Sequence, residues 1–266
     1  MSLQASVLIR QFSQYCTLSF ADKEILLSLE QHPIRVSAAQ AICLEGDEPE
    51  QFFTIREGWA FSFRTLDDGS RQILKIYLPG DIIGMRDFSF SQRLAGVAMI
   101  TDGVICAFNH PQLLSVFHRS GNLAVGFIAI ASRQQAMLTE RMIYLAQRPA
   151  QQRLAHFLYE MYLRLKRIGA VQEGQFLLPL SQEQIGEALG LSAVHVNRTF
   201  KAFRESGIVL RERHHVSIPN LKDLANLAEF DGGYLNNEVP SGFFVPQWEE
   251  DIRKESLDHT TNLGGP

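Results

Sequence analysis

Asn197, Arg198 and Lys201 stand within five residues of one another, and each carries donors that the acceptors of nucleic acid can use. An arginine fork matches guanine O6 and N7, and an asparagine amide reaches either a base edge or a phosphate. Ala193 and Val194 come just before them, and Val194 can touch only an apolar group such as a thymine methyl. His195 suits a solvated or phosphate-facing position rather than a metal or a catalytic proton. Further on, Arg211 and Arg213 lie in the run Arg211-Glu212-Arg213-His214-His215, a basic tip able to touch phosphate.

A second candidate is GDIIGMRDFSFSQRLAGVAM, Gly80 to Met99. Gly84 followed at a distance by Arg93 is material for a loop that cradles an anion. Met85 beside the glycine, and Leu94-Ala95 beside the arginine, offer no side-chain hydrogen bond where such a loop needs one.

The elements that must position the first group are legible between Leu178 and Val209. Ser181 and Gln184 make a capping box, with Ile185, Ala188 and Leu189 the buried face of a short helix. Gly190 permits a tight turn and small Gly186 a close helix approach. Ser192 caps a second helix whose inward face is Val196, Phe200 and Phe203, with Thr199 beside it. That leaves Ala193, Val194, Asn197, Arg198 and Lys201 outward, and the capping Ser181 and Ser192 are counted with them and with His195, Arg211 and Arg213 as candidate DNA-binding residues. Gly207 to Ile218 then reads as a hairpin wing. Two helices crossing at such a turn place the second in a DNA major groove.

Upstream, short strand-like segments (AICLEG, QFFTIREG, WAFSFRTL, RQILKIYL, DIIGM, AGVAMIT, VICAFN) alternate with turn signals and predict a small antiparallel sandwich or roll. WAFSFRTLDDGSRQILKIYL reads as a hairpin closed at Asp67-Asp68-Gly69. One helical run over residues 3–30, capped by Ser19 and Asp22, precedes the roll and stops at His32-Pro33. From Leu123 to Leu145 a long helical stripe includes Phe127, Ile130, Met137, Leu138 and Leu145. A twin helix would cover it, so a homodimer is expected. Gln134 and Arg141 interrupt the seam and leave open that the stripe packs on its own roll. Arg148-Pro149-Ala150 marks a break before an amphipathic helix from Ala150 to Lys166, and Gly169 to Gly174 loosens the chain.

The chain's 266 residues, 45% apolar and 20% charged, suit two soluble globular domains. The net charge of -4 is uneven. Residues 148–222 hold eleven Lys and Arg against six Asp and Glu, whereas residues 223–266 hold two against nine. A local basic block in an acidic protein suits a nucleic-acid face. Cys16, Cys43 and Cys106 are too far apart for a C-x-x-C motif and read as reduced, buried thiols. No eighteen-residue apolar run or signal peptide is present, so a cytoplasmic protein without membrane contact is expected.

Over about residues 8 to 222 the chain resembles the CRP/FNR family of transcription regulators. ALGLSAVHVNRTFKAFRESGIV is similar to that family's DNA-reading helices, and LEGD (Leu44 to Asp47), PGD (Pro79 to Asp81) and Ile83-Gly84 to its cyclic-nucleotide-binding-like roll. The resemblance implies an α+β fold: N-terminal antiparallel β-roll, long dimerisation helix, C-terminal winged helix-turn-helix. It also implies a homodimer on a two-fold symmetric site in double-stranded DNA, in contact with RNA polymerase. The half-sites would lie about one helical turn apart, a spacing known for helix-turn-helix dimers including a member of this family. Residues 1–121 are assigned to the N-terminal helix and roll, 122–147 to the dimerisation helix, 148–222 to the DNA-binding domain and 223–266 to an acidic, flexible tail in which Phe243, Phe244, Val245 and Trp248 dock.

By position, Arg198 keeps the family's base-reading arginine, while Val194 stands where an acidic residue is usual and predicts a different operator. In nucleotide-binding members a Gly-Glu pair grips the ribose and an Arg-Ser/Thr-Ala triplet the phosphate. Gly84-Met85 and Arg93-Leu94-Ala95 keep the arginine and alanine but lack the carboxylate and the hydroxyl. Binding of a cAMP-like ligand in the usual mode is therefore the lesser reading, and an unidentified small-molecule effector or none at all is preferred. The iron-sulfur branch needs four ligands that the cysteine spacing does not supply, and Cys43, Cys106 and His110 are weak haem ligands. No cofactor or metal is expected. A cupin-like enzyme would need His-x-His, which residues 40–110 lack; G-x-S-x-G, Walker and H-E-x-x-H motifs are missing too.

Overall fold

Two short helices, α1 (Val7–Phe12) and α2 (Phe20–Ser28), open the chain in place of the single run expected, in a computed structural model that describes residues 6–235. Ser19 caps α2 through a reciprocal box with Asp22. Eight strands follow: β1 (Pro33–Val36), β2 (Ala41–Cys43), β3 (Gln51–Glu57), β4 (Ala60–Thr65), β5 (Arg71–Tyr77), β6 (Ile82–Ile83), β7 (Gly96–Met99) and β8 (Gly103–Asn109). Pro33, read from sequence as a helix stop, also begins β1. It is tolerated there because β1 is an edge strand and proline is its first residue.

The strands form two antiparallel sheets, ordered β1-β8-β3-β6 and β2-β7-β4-β5. Ile55, Tyr77, Val97, Met99 and Ile105 fill the space between them. The expected hairpin joins β4 to β5, with Thr65 opposite Arg71. Of the sandwich and the roll that the turn spacing allows, this is the roll that the family resemblance implies.

The chain leaves the roll through α3 (His110–Arg119), whose N-terminus Asn109 and Gln112 cap reciprocally, and α4 (Gly121–Gln147), capped by Ser120. Phe127 and Ile130 of α4 are buried against Leu8, Phe12 and Leu26 of the first two helices. These two positions, expected on a dimer seam, instead serve the protomer's own core. The surface they would lend to a partner is already covered.

After Arg148-Pro149 comes α5 (Ala150–Arg167). The stretch expected to loosen the chain is a short hairpin, β9 (Val171–Gln172) and β10 (Gln175–Leu177), closed by Glu173 and Gly174, both at positive φ. Then come α6 (Gln182–Leu189), α7 (Ala193–Glu205), β11 (Leu210–Glu212), β12 (His215–Ser217) and α8 (Leu221–Ala228). The last four strands make a sheet ordered β11-β12-β10-β9, so the wing is half of a larger sheet. A boundary at residue 222 falls inside α8. That helix packs on α5 and buries Leu224 and Ala228, because an amphipathic face at the end of the domain needs cover. Gly232–Leu235 adds a 3-10 turn with Leu235 buried, so the assigned tail begins as folded structure. Phe243, Phe244, Val245 and Trp248 lie outside the described residues.

Among the described residues no helix is long and apolar enough to cross a membrane. One apolar cluster joins Phe61, Ile73 and Ile76 of the roll to Leu154 and Phe157 of α5 and Ile185 of α6.

Candidate nucleic-acid interface

The Ser181 hydroxyl accepts from Gln184 N at 3.0 Å while the Gln184 side chain accepts from Ser181 N at 2.9 Å, fixing the start of α6. Gly190 ends it in the left-handed region at φ 62°. At Gly186 a Cβ would lie 2.3 Å from the Leu191 carbonyl oxygen, so only glycine lets the turn fold back this tightly. Ser192 then starts α7 by accepting from His195 N at 3.2 Å. Val196, Thr199, Phe200 and Phe203 face inward, and the Thr199 hydroxyl donates back to the His195 carbonyl at 2.9 Å.

Ala193, Val194, His195, Asn197, Arg198 and Lys201 are all exposed, Val194 at 77%. Among the described residues Arg198 has no ion pair or hydrogen bond, so its donors are all available. Asn197 donates to the Gln182 side chain at 3.2 Å, which ties α7 to α6 across their outer faces. Lys201 pairs loosely with Glu205, at 3.8 Å with both side chains exposed. His195 Nδ1 lies 3.2 Å from the Ser192 hydroxyl and so assists the cap.

Arg211 does not serve as a free basic tip. Its guanidinium lies 4.7 Å from the Phe200 ring centroid and donates to the carbonyls of Leu180 and Arg213. Burial pulls its pKa down. Arg211 braces the wing against α7, while Arg213, at φ 55°, stands exposed at the wing turn. Two residues not singled out from sequence join this surface. Arg204 and Gln182 line a recess of about 320 Å³ together with Asn197, Lys201, Arg211 and Arg213. The signal for Arg204 was present, since it follows Lys201 by three residues and so shares its face of the helix.

In the roll, Gly84 has φ 97° and a Cβ there would come within 3.0 Å of Phe52 Cδ1, so the turn into Met85–Asp87 requires glycine. Arg93 is 4% exposed. It donates from Nη2 to the Gln51 carbonyl, places Nη1 3.6 Å from Asp87 Oδ2, and its guanidinium lies 5.9 Å from the Phe53 ring centroid. Its charge thus faces Asp87 and its Nη2 ties the 93 position to β3, while the buried Nη1 has no hydrogen-bond partner among the described residues. Leu94 is exposed and Ala95 buried, and neither adds a polar side chain. Among the described residues no cluster of His, Cys, Asp and Glu could hold a metal ion. All three cysteines are buried, and burial pushes the Cys16 and Cys106 thiols up to about 11.

A model of the Crp-like helix-turn-helix domain matches residues 152–227, and one of the cyclic nucleotide-binding domain matches residues 33–120. The transcriptional activatory protein AadR of Rhodopseudomonas palustris is 31% identical over 195 residues, covering 71% of this chain and 78% of AadR. The fumarate and nitrate reduction regulatory protein of Yersinia pestis is 25% identical over 219 residues, 81% of this chain and 87% of the relative. Among solved structures, FixK2 from Bradyrhizobium japonicum is similar, with a TM-score of 0.67 at 25% identity over 73% of this chain and 96% of FixK2. Both domain types occur in order along one chain that also aligns with most of AadR, and on that ground the chain belongs to the CRP/FNR family of transcription regulators.

Proposed function

We propose that the protein acts as a homodimer that reads a two-fold symmetric promoter site in double-stranded DNA, with one α7 in the major groove of each half-site. The observation that carries this reading is the outer face of α7, where Arg198 stands exposed and unpaired behind a helix start fixed by Ser192. Arg198 is assigned to guanine, Val194 to an apolar base edge, and Lys201, Arg204 and Arg213 to phosphate.

The dimer reading rests on α4. Ile128, Gln135 and Met142 recur every seven residues, as do Ala131, Leu138 and Leu145 three places on. Ile128 is 66% and Met142 67% exposed, and Leu138 is exposed as well. This 3.5-residue repeat is the seam of a two-stranded coiled coil. Leu138 and Leu145 fall on it; Met137 lies one residue off, and Phe127 and Ile130 face the core.

Family membership supports extending the proposal to contact with RNA polymerase and to action in the cytoplasm, where such DNA is reached. No enzymatic activity is proposed. Arg93 paired with Asp87, and Met85 and Leu94 in the cassette, argue against a cyclic nucleotide held in the usual mode. The test is selection of bound sequences from a random DNA pool, followed by mobility shifts at two salt concentrations and sedimentation of the complex. A palindromic consensus bound by two chains, with affinity falling steeply in salt, is expected. Equal affinity for selected and random DNA would overturn the reading.

A further inference from the structure

After its last helix the chain crosses from α5 to α4. Glu229 ends α8 in the left-handed region at φ 46° and so turns residues 230–235 off the helix axis. Its carboxylate accepts from Arg148 at the α4–α5 break and from the Gln152 side chain, the latter at 3.0 Å. The Phe230 ring stands edge-on to Tyr159 and tilted against His156, each at 4.7 Å and both on α5. Tyr234 then reaches both helices. Its hydroxyl oxygen lies 3.0 Å from His156 Nε2 and 3.5 Å from Glu160 Oε2, while its carbonyl accepts from Arg133 Nη1 of α4 at 3.2 Å. Leu235 beside it is buried.

Arg133 lies well before the break at Arg148, about 22 Å along the helix at roughly 1.5 Å per residue. The segment therefore holds α5 to the middle of α4 as well as to the break. Two direct contacts lie nearer the break: the Tyr144 ring is 4.5 Å from His156, and Arg153 Nε donates to the Arg148 carbonyl at 2.7 Å. Helices joined at a proline-marked break can change their mutual angle there, and a third segment bonded to both opposes that change. The angle matters for α7, because Leu154 and Phe157 of α5 share one apolar core with Val196 and Phe203 of α7. Close-packed cores move as units, so α7 follows α5.

We infer that residues 229–235 are a strap that sets where α7 stands relative to α4, with Tyr234 as a positioning residue that acts through His156 of α5 and Arg133 of α4. Since α4 carries the proposed dimer seam, the strap fixes the separation of the two α7 helices in a dimer, and with it the half-site spacing that the dimer accepts. That last consequence rests on the dimer reading of α4. The hold of the strap on the two helices does not, and it is measured without DNA.

The test uses the full chain and two variants, Tyr234→Ala, which removes ring and hydroxyl, and Tyr234→Phe, which removes the hydroxyl alone and serves if the alanine variant does not fold. Val216→Ala, in the core of the wing sheet, controls for lost stability without a lost strap. Amide hydrogen exchange of the DNA-free protein is expected to speed up about three- to tenfold across residues 141–156 in Tyr234→Ala, less in Tyr234→Phe, and to change little in the roll strands. Binding is then measured on the selected palindrome, on versions with one or two base pairs added or removed between half-sites, and on a single half-site. Tyr234→Ala should lower the discrimination between the selected spacing and its neighbours about three- to tenfold and leave single half-site affinity unchanged. Val216→Ala should keep the native discrimination. The inference is overturned if exchange at 141–156 is unmoved, if it rises equally throughout the chain, if spacing discrimination stays native in Tyr234→Ala, or if Val216→Ala relaxes it as much. Where the native chain reads no two-fold site, the proposed function fails and exchange at 141–156 alone decides the strap.

Discussion

Arg71 of the roll grips Glu187 of α6 with both prongs of its guanidinium: Nε and Nη2 each lie 3.0–3.3 Å from the two carboxylate oxygens. The neighbouring Gln72 side chain donates to the Glu187 carbonyl, and the Arg71 guanidinium lies 5.2 and 5.6 Å from the rings of Phe61 and Phe63. The position of α6, and of α7 next to it, is thereby registered to the β4–β5 hairpin as well as to α5. A double-mutant cycle with Arg71→Ala and Glu187→Ala, read by chemical denaturation, should give a coupling of about 0.5–1 kcal/mol. Because the pair is partly exposed, the coupling should shrink in high salt. A coupling of zero at low salt would show that the fork holds nothing.

Arg198, Lys201 and Arg211 should fail in three different ways. Arg198→Ala should cost roughly 1–3 kcal/mol at each base it reads on the selected site, relax preference at one base position per half-site, and leave random DNA nearly unaffected. Lys201→Ala should weaken all sequences alike and lower the salt slope by about one for each phosphate that is no longer neutralised. Arg211→Ala should lower stability and weaken all sequences without a matching change in slope, because it braces the wing through Phe200 and Leu180. Binding isotherms on selected and random DNA across a salt series separate these patterns.

The two sides of α4 make opposite demands. Met142→Glu, on the exposed seam, should shift the protein toward monomers by sedimentation with little change in monomer fold, since Met142 touches water in the single chain. Phe127→Ala should instead destabilise by about 3–5 kcal/mol, because it empties a buried site 4.8 Å from the Phe12 ring. A dimer unmoved by Met142→Glu would remove the seam assignment.

His156 of α5 should make stability fall in acid. Its ring is buried between Tyr144 at 4.5 Å and Phe230 at 4.7 Å, and Nε2 meets Tyr234 Oη at 3.0 Å. Burial, aided by the charges of Arg141 and Arg148, lowers its pKa from 6.5 to about 4. In the unfolded chain the imidazole takes up a proton near pH 6.5, while in the fold it stays neutral until about pH 4. Unfolding therefore takes up a proton in that window. The full contribution is present above pH 6.5 and is lost as pH falls toward 4, at up to about 1.4 kcal/mol per unit. Denaturation midpoints of His156→Gln and the native chain should converge in slope above pH 6.5 and diverge below it, with the variant the flatter.

What the chain settles alone is what short-range chemistry decides. The capping serines at 181 and 192, the turn at Gly190 and the inward run Val196, Phe200 and Phe203 lie within about 25 residues, and each is satisfied by its near neighbours. The β4–β5 hairpin is equally local. Three other features depended on partners far along the chain. Pro33 reads as a stop until β8 is seen beside it, and the 169–174 stretch reads as loose until β12 pairs with β10. Arg93 reads as a ligand's cation until Asp87 is seen beside its charge and the Gln51 carbonyl accepts from its Nη2. On α4 the apolar residues cover two faces, and periodicity does not say which one meets the protomer's own core. Only packing against α1 and α2 assigned Phe127 and Ile130 inward and left Ile128, Leu138 and Met142 outside, because burial is decided by which surfaces meet in space.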